Sequence, residues 1–172
     1  MKQSHAAAHV LPDVLAPGLD VVFCGSAVGA ASARIGAYYA GPGNKFWPIL
    51  QQTGLTPDRL DPRDLPDLRQ FGIGLTDMAK TESGSDASLS KRADDAQAVR
   101  EKIEHFQPRA LAFNGKRAGR VFFDGAQMDY GQQTAKIGRT AIFVLPSTSG
   151  LAVRFWDEAP WIALATYLGP TR

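Results

Sequence analysis

The apolar positions of the chain fall into short, separated blocks. Val21–Cys24 is an unbroken apolar run that stops at Gly25. Such a run is hydrophobic on both faces, which predicts a strand buried on both sides, as in a parallel sheet. Three more runs, Phe71–Leu75, Arg109–Phe113 and Thr140–Leu145, predict three further strands. The intervening segments follow helical spacing. Phe46, Trp47, Ile49 and Leu50 predict a helix over Lys45–Thr53, closed by Gly54 as a C-terminal cap. Lys91–Phe106 predicts an amphipathic helix with Ala98, Ile103 and Phe106 inward, stopped by Pro108. A helix up to about Phe123 and a closing helix from about Pro160 to Leu168 complete the set. Strands that alternate with helices predict an α/β protein whose parallel sheet is covered on both faces.

The remaining segments are polar. Residues 1–18 are expected to be a flexible tail ending in the turn Ala16-Pro17-Gly18, ahead of a single domain over 19–172. Residues 25–39 read as a loop of small residues, 56–69 as a Pro-interrupted surface connection, and 81–90 as a polar loop. Residues 124–139 read as polar and turn-rich.

With 172 residues, 44% hydrophobic and 21% charged, the chain has the make-up of one ordinary globular domain. A net charge of +2 permits a nucleic-acid partner without demanding one. The lone Cys24 excludes an internal disulfide and is expected to be an inert core thiol. His5 and His9 lie in the predicted tail and are not read as ligands. No apolar run reaches membrane-spanning length, and no signal-peptide pattern opens the chain, so a cytoplasmic protein is expected.

In open α/β sheets the ligand sits beyond the carboxyl ends of the strands. Four such ends are Gly25–Gly29, Thr76–Asp77, Asn114–Lys116 and Ser147–Leu151. They carry no His, Cys or Glu cluster with metal spacing, so no metal is expected. They also lack the dinucleotide fingerprint, the P-loop and the nucleophile elbow. What they offer is small residues, hydroxyls, amides and one carboxylate, beside the aromatic pair Tyr38-Tyr39. That set suits a flat polar ligand such as a nucleobase.

LAPGLDVVFCG, YYAGPGNKFW, FGIGLTDM, FQPRALAFNGK and LPSTSGL stand in this order between Leu15 and Leu168. In these motifs and their spacing the chain resembles the mismatch-specific uracil- and thymine-DNA glycosylases, a branch of the uracil-DNA glycosylase superfamily. The resemblance implies a three-layer α/β/α sandwich around a central four-stranded parallel sheet. It also implies a monomer that flips a base out of DNA and excises it without a cofactor, leaving an abasic site. DNA is the implied partner, either a uracil-containing mismatched duplex or a single strand, and a nucleoid-associated location follows.

By the same resemblance Tyr39 stacks on the flipped base, and the alternative is a core tyrosine beside Phe46 and Trp47. Leu151, after Ser149 and Gly150, is the wedge that fills the vacated space, or else an ordinary core leucine. Gly25, Ser26 and Ala27 lie where the base edge is read, and Asn44 braces the pocket loop. Lys45, Lys116, Arg117 and Arg154 are phosphate candidates, or simply surface charges. The hydroxyls of Ser147, Thr148 and Ser149 face phosphates or the pocket, Ser147 replacing the Asn of some members.

One departure bears on catalysis. The family's G-I-N-P-G motif, whose Asn positions the attacking water, is Gly25-Ser26-Ala27-Val28-Gly29 here. Ala27 cannot bind water through its side chain. Asp77, at the end of the second strand, could accept the uracil N3–H or activate water, or merely cap a turn. Asp86, in the loop 81–90, could fold over the pocket or stand in an exposed turn. The expected activity is hydrolytic removal of uracil from DNA, G·U pairs included. The rival expectation, which Ala27 favours, is a module that binds damaged or abasic DNA without excising a base.

Overall fold

The computed structural model describes residues 8–63 and 67–170; His5 lies outside them. A five-stranded sheet forms the middle layer. Its strands are β1 (Val21–Gly25), β2 (Ile73–Asp77), β3 (Ala110–Asn114), β4 (Gly131–Ile137) and β5 (Thr140–Leu145). The spatial order is β2-β1-β3-β5-β4. The four strands read from their apolar runs are the parallel ones. β4 is a fifth, antiparallel to β5 at the sheet edge, so the sheet is five-stranded and mixed. β4 falls within the stretch read as turn-rich. Its residues GQQTAKI are mostly exposed, and an edge strand needs no apolar run to pair.

Successive residues of the central strands point to opposite layers, with the period of two that a pleated strand imposes. Val21 and Phe23 of β1, with Ile73, Leu75, Ala112 and Phe143, pack on α2 (Phe46–Gln52) and α5 (Ala159–Leu168). Val22 and Cys24, with Leu111, Phe113, Ile142 and Val144, pack on α3 (Ala96–Phe106) and α4 (Lys116–Phe122). The result is the three-layer α/β/α arrangement. Cys24 is fully buried and burial pushes its thiol pKa far up, which suits an inert core residue.

Three local readings change. Within the loop after β1, Ala30–Ile35 forms a short helix, α1, ended by Gly36 in the left-handed conformation (φ 79°). The amphipathic helix starts at Ala96 rather than Lys91, because Asp95 caps it by accepting the Ala98 amide at 2.8 Å. Its buried residues are Val99 and Ile103, and Ala98 and Phe106 are only partly covered.

The largest change concerns the N-terminus. Residues 10–18 are not a loose tail. Val14 exchanges both backbone hydrogen bonds with Leu75 (2.9 and 2.8 Å), and the Val10 amide donates to the Lys80 carbonyl at 2.8 Å. Leu11 is 6% exposed. This segment therefore straps the outer edge of β2, satisfying an edge that would otherwise be open. Leu11→Ala is expected to cost about 2–4 kcal/mol of stability by urea denaturation, the range for truncating a buried leucine. A loss under about 0.5 kcal/mol, the figure for an unattached surface position, would contradict the strap.

Candidate active site

The carboxyl ends of the parallel strands open into a cleft of about 910 Å³. Its walls include residues 25–32, 38–39, 41–45, 84–87 and 147–153, with Asp77 and Asn114 at the strand ends. Parallel pairing sets Gly25 of β1 opposite Asp77 of β2. A Cβ on Gly25 would stand 3.0 Å from Asp77 Oδ1 and 3.3 Å from the Tyr39 hydroxyl. Glycine at 25 thus leaves room for a carboxylate and a phenol to converge on the floor of the cleft.

Asp77 is 2% exposed. Burial disfavours its charge and pushes its pKa up to about 6, with the nearby Asp13 adding to the rise. The Lys80 ammonium, 3.4 Å from Oδ2, opposes that rise. Tyr39 occupies a left-handed backbone conformation (φ 52°), a strain of about 1–3 kcal/mol for a residue with a side chain. Its neighbours hold it there: the Trp47 indole donates to the Tyr38 carbonyl at 3.2 Å, and the Ala40 amide donates to Ser32 Oγ at 2.9 Å. The Tyr39 ring stacks on Phe46 with centroids 4.0 Å apart. Its buried hydroxyl has no hydrogen-bond partner. The neighbouring Asn114 amide favours the ionised phenol but is bound to Thr148, and burial drives the phenol pKa well up.

Asn114 and Thr148 fasten the far wall. Asn114 Nδ2 donates to Thr148 Oγ1 at 2.9 Å, and the Thr148 amide donates back to Asn114 Oδ1 at 3.0 Å. The Lys45 amide donates to the Thr148 carbonyl at 2.9 Å, tying this wall to the Gly-Pro-Gly turn. There a Cβ on Gly150 would fall 2.8 Å from the Pro42 carbonyl oxygen, so the two walls touch backbone to backbone. Asn44 Oδ1 accepts the Phe46 amide at 3.0 Å and braces the start of α2. Ser147 Oγ accepts the Ser149 amide, and Ser149 Oγ accepts the Leu151 amide, each at 3.2 Å. These bonds raise a 3-10 turn, Gly150–Phe155, on the rim, where Leu151 is 86% exposed.

The structure thus brings Gly25, Ser26, Ala27, Tyr39, Asn44, Lys45, Asp77, Asp86, Ser147, Ser149, Gly150 and Leu151 to one cleft. Asp86 stands exposed at the start of a 3-10 turn, Asp86–Ser88, on the opposite wall. Its loop is tied down by the Gly84 amide, which donates to the Val28 carbonyl at 3.0 Å. Lys116 and Arg154 are not among the lining residues. Lys116 lies over the Tyr130 ring at 4.4 Å, and Arg154 over Phe155 at 5.8 Å. Arg117 is engaged by Asp94 at 2.9 Å. The sequence places Asn114 and Thr148 in this region but not their mutual bond, and it gives no sign of Asp13 and Lys80 here. The only signal for Asn114 was its place at a strand end. Asp13 and Lys80 sit in stretches whose polarity spoke for solvent. Among the described residues, no three His, Cys, Asp or Glu side chains are grouped to hold a metal ion.

The model of the uracil DNA glycosylase superfamily matches residues 12–165. The chain belongs to this superfamily. Its fold is similar to the solution NMR structure of a putative uracil DNA glycosylase from Methanosarcina acetivorans, with a TM-score of 0.64 and 25% identity. That match covers 92% of this chain and 96% of the other. Members of the superfamily are DNA glycosylases, enzymes that hydrolyse the bond between base and deoxyribose. Tyr39, the buried Asp77 and the exposed Leu151 all border the cleft.

The two-point bond between Asn114 and Thr148 closes the cleft wall. Asn114→Ala would leave the buried Thr148 amide unpaired, an expected loss of about 1–3 kcal/mol in denaturant titration. Asn114→Asp keeps the acceptor for that amide but buries a carboxylate, and is expected to lose at least as much.

Proposed function

We propose that this protein is a monofunctional DNA glycosylase that flips uracil out of DNA, including G·U pairs, and removes it by hydrolysis. The observation that carries the reading is the joint placement of Tyr39, Asp77 and Leu151. The ring of Tyr39 lines the cleft, the Asp77 carboxylate lies on its floor, and Leu151 stands almost bare on its rim.

Flipping a nucleotide costs a few kcal/mol of stacking and pairing, least at a mismatch. In this reading Leu151 enters the stack where the base was and offsets part of that cost. The base lies on Tyr39, and its edge is read by backbone amides of the 25–29 loop. As the N-glycosidic bond breaks, its electron pair leaves with the base and cationic character develops on the sugar. The ionised Asp77 stabilises that charge and takes a proton from the water that bonds to C1′. The departing base anion is protonated, and the products are free uracil and an abasic site. Asp77 thereby takes over from the Asn that Ala27 replaces. Asp86, exposed on the opposite wall, is the second choice for this role.

Ala27 also supports a second reading, a module that holds damaged or abasic DNA without excision. Single-turnover excision on a duplex with one G·U pair separates the two. The natural protein is expected to yield alkali-labile sites, and Asp77→Asn to slow this by about 10²–10⁴-fold, the usual worth of a general base. Asp86→Asn is expected to change it far less. Binding of the duplex with no base released from any lesion would leave the module reading standing instead.

The pH profile follows from the Asp77 carboxyl. Burial raises it to about 6, so the ionised, active form gains ground as pH rises through that value. The excision rate is expected to climb through about pH 6 and level off above it; a rate that falls across this range would exclude Asp77 as the base. Leu151→Ala is expected to weaken binding to an abasic duplex about 10-fold or more, the worth of one buried leucine side chain.

A further inference from the structure

Lys80 is only 9% exposed. Its ammonium donates to the Tyr38 hydroxyl at 2.8 Å and lies 3.0 Å from Asp13 Oδ1. Both contacts are shorter than the 3.4 Å to Asp77 Oδ2. Asp13 is itself fixed, by Lys102 of α3 at 2.7 Å and by the Thr76 hydroxyl at 2.8 Å. The Tyr38 hydroxyl donates onward to the Pro12 carbonyl at 3.2 Å, which turns its lone pairs toward Lys80. The Lys80 carbonyl accepts the Val10 amide at 2.8 Å. The ammonium is therefore located by the N-terminal strap and by the loop after α1, independently of Asp77.

Asp77 is held asymmetrically. Oδ2 faces Lys80, while Oδ1 is the oxygen nearest to where a Gly25 side chain would project on the cleft floor. We propose that Lys80 is a positioning residue, moored by Asp13 and Tyr38, that holds Oδ2 of Asp77 from behind and leaves Oδ1 to the reacting water. The strap from Val10 to Val14 is then part of the active site, because it delivers Asp13. This proposal rests on the reading of Asp77 as the group that activates water.

The simpler role for Lys80 is structural, an ammonium that serves Asp13 and the Tyr38 hydroxyl and leaves Asp77 unaffected. The two roles differ in what they do to Asp77. Of the charged groups acting on it, Lys80 favours the ionised form, and Asp13 opposes it. The Tyr39 phenol and the Cys24 thiol, which also couple to Asp77, have pKa values pushed up by burial and stay neutral at working pH. Lys102 lies behind Asp13 and is paired with it. Removing the Lys80 charge therefore shifts the ionisation of Asp77 upward.

The test follows single-turnover excision from a G·U duplex between about pH 5 and 9. It compares the natural protein with Lys80→Gln, Tyr38→Phe, Asp77→Asn and the double variant K80Q/D77N. A ¹³C NMR titration of the Asp77 carboxyl runs beside it. The rising limb is expected to move alkaline by about one pH unit or more in Lys80→Gln, the scale of losing an opposite charge at this range. In Tyr38→Phe, a near-isosteric change, it is expected to move less in the same direction. In the double variant the Lys80 change is expected to cost no further rate, since it acts through Asp77. An unmoved limb in folded variants, or losses that multiply in the double variant, would overturn the proposal. Should Lys80→Gln fail to fold, Lys80→Met, which keeps the apolar stem and removes the charge, decides by the same criterion. A natural protein that releases no base sinks the glycosylase reading, and the NMR titration then decides Lys80 by itself. A higher Asp77 midpoint in Lys80→Gln upholds its hold on the carboxylate, and an unchanged one refutes it.

Discussion

A carboxylate removed from water loses several kcal/mol of solvation, and the surrounding fold must restore most of it. Asp77 is placed in that position by strand pairing: β2 must run beside β1 for the sheet to form, and their register sets Asp77 opposite Gly25 at the floor of the cleft. The compensation comes from Lys80, but a buried lysine is as unfavourable alone as a buried aspartate. Asp13 supplies the second anion and Lys102 the second cation, so the four charges sum to zero while Lys80 keeps one short ion-pair contact, to Asp13. The N-terminal strap closes this cluster. Its backbone covers the edge of β2 and its side chain completes the charge balance behind the cleft, so fold and site depend on the same few residues.

The aromatic wall follows a different logic. Phe23, from the centre of the sheet, meets Phe46 edge-on at 5.2 Å and stacks on Trp161 at 5.5 Å. Phe46 in turn carries Tyr39. The platform is thus the last ring of a stack that begins in the core, and a ring supported this way loses little freedom when something flat lies on it. The left-handed backbone at Tyr39 is tolerated because Trp47 and Ser32 fix the residues on either side.

What the sequence showed, and what it hid, divides along the same line. The parallel strands were legible because both of their faces are buried, which writes an apolar run into the chain. Their ends followed, and with them most of the cleft: Gly25, Asp77, Ser147 and Leu151 all lie at strand exits. β4 was hidden because an edge strand is held by its neighbour's backbone and can be polar. α1 was hidden because a six-residue segment between glycines, four of them Ala or Ser, carries no periodicity. The strap was hidden because Pro12 and Asp13 interrupt its apolar residues, so Val10, Leu11 and Val14 read as isolated. Lys80 was the least legible of all. Nothing in Asp-Met-Ala-Lys says that the lysine turns inward, since its partners come from residues 13 and 38.

A carboxylate doing the work of a water-holding amide would change the electrical character of the site as well as its side chains. An amide holds water equally at every pH and needs no counter-charge. A carboxylate binds water more strongly as a base, but only when ionised, and burial works against ionisation. A site built on Asp77 therefore requires a cation close enough to favour its charge and far enough not to neutralise its basicity. At 3.4 Å, with its shorter contacts given to Tyr38 and Asp13, the Lys80 ammonium meets both conditions. A tight bidentate pair would have quenched the carboxylate, and no cation would have left it protonated near neutrality.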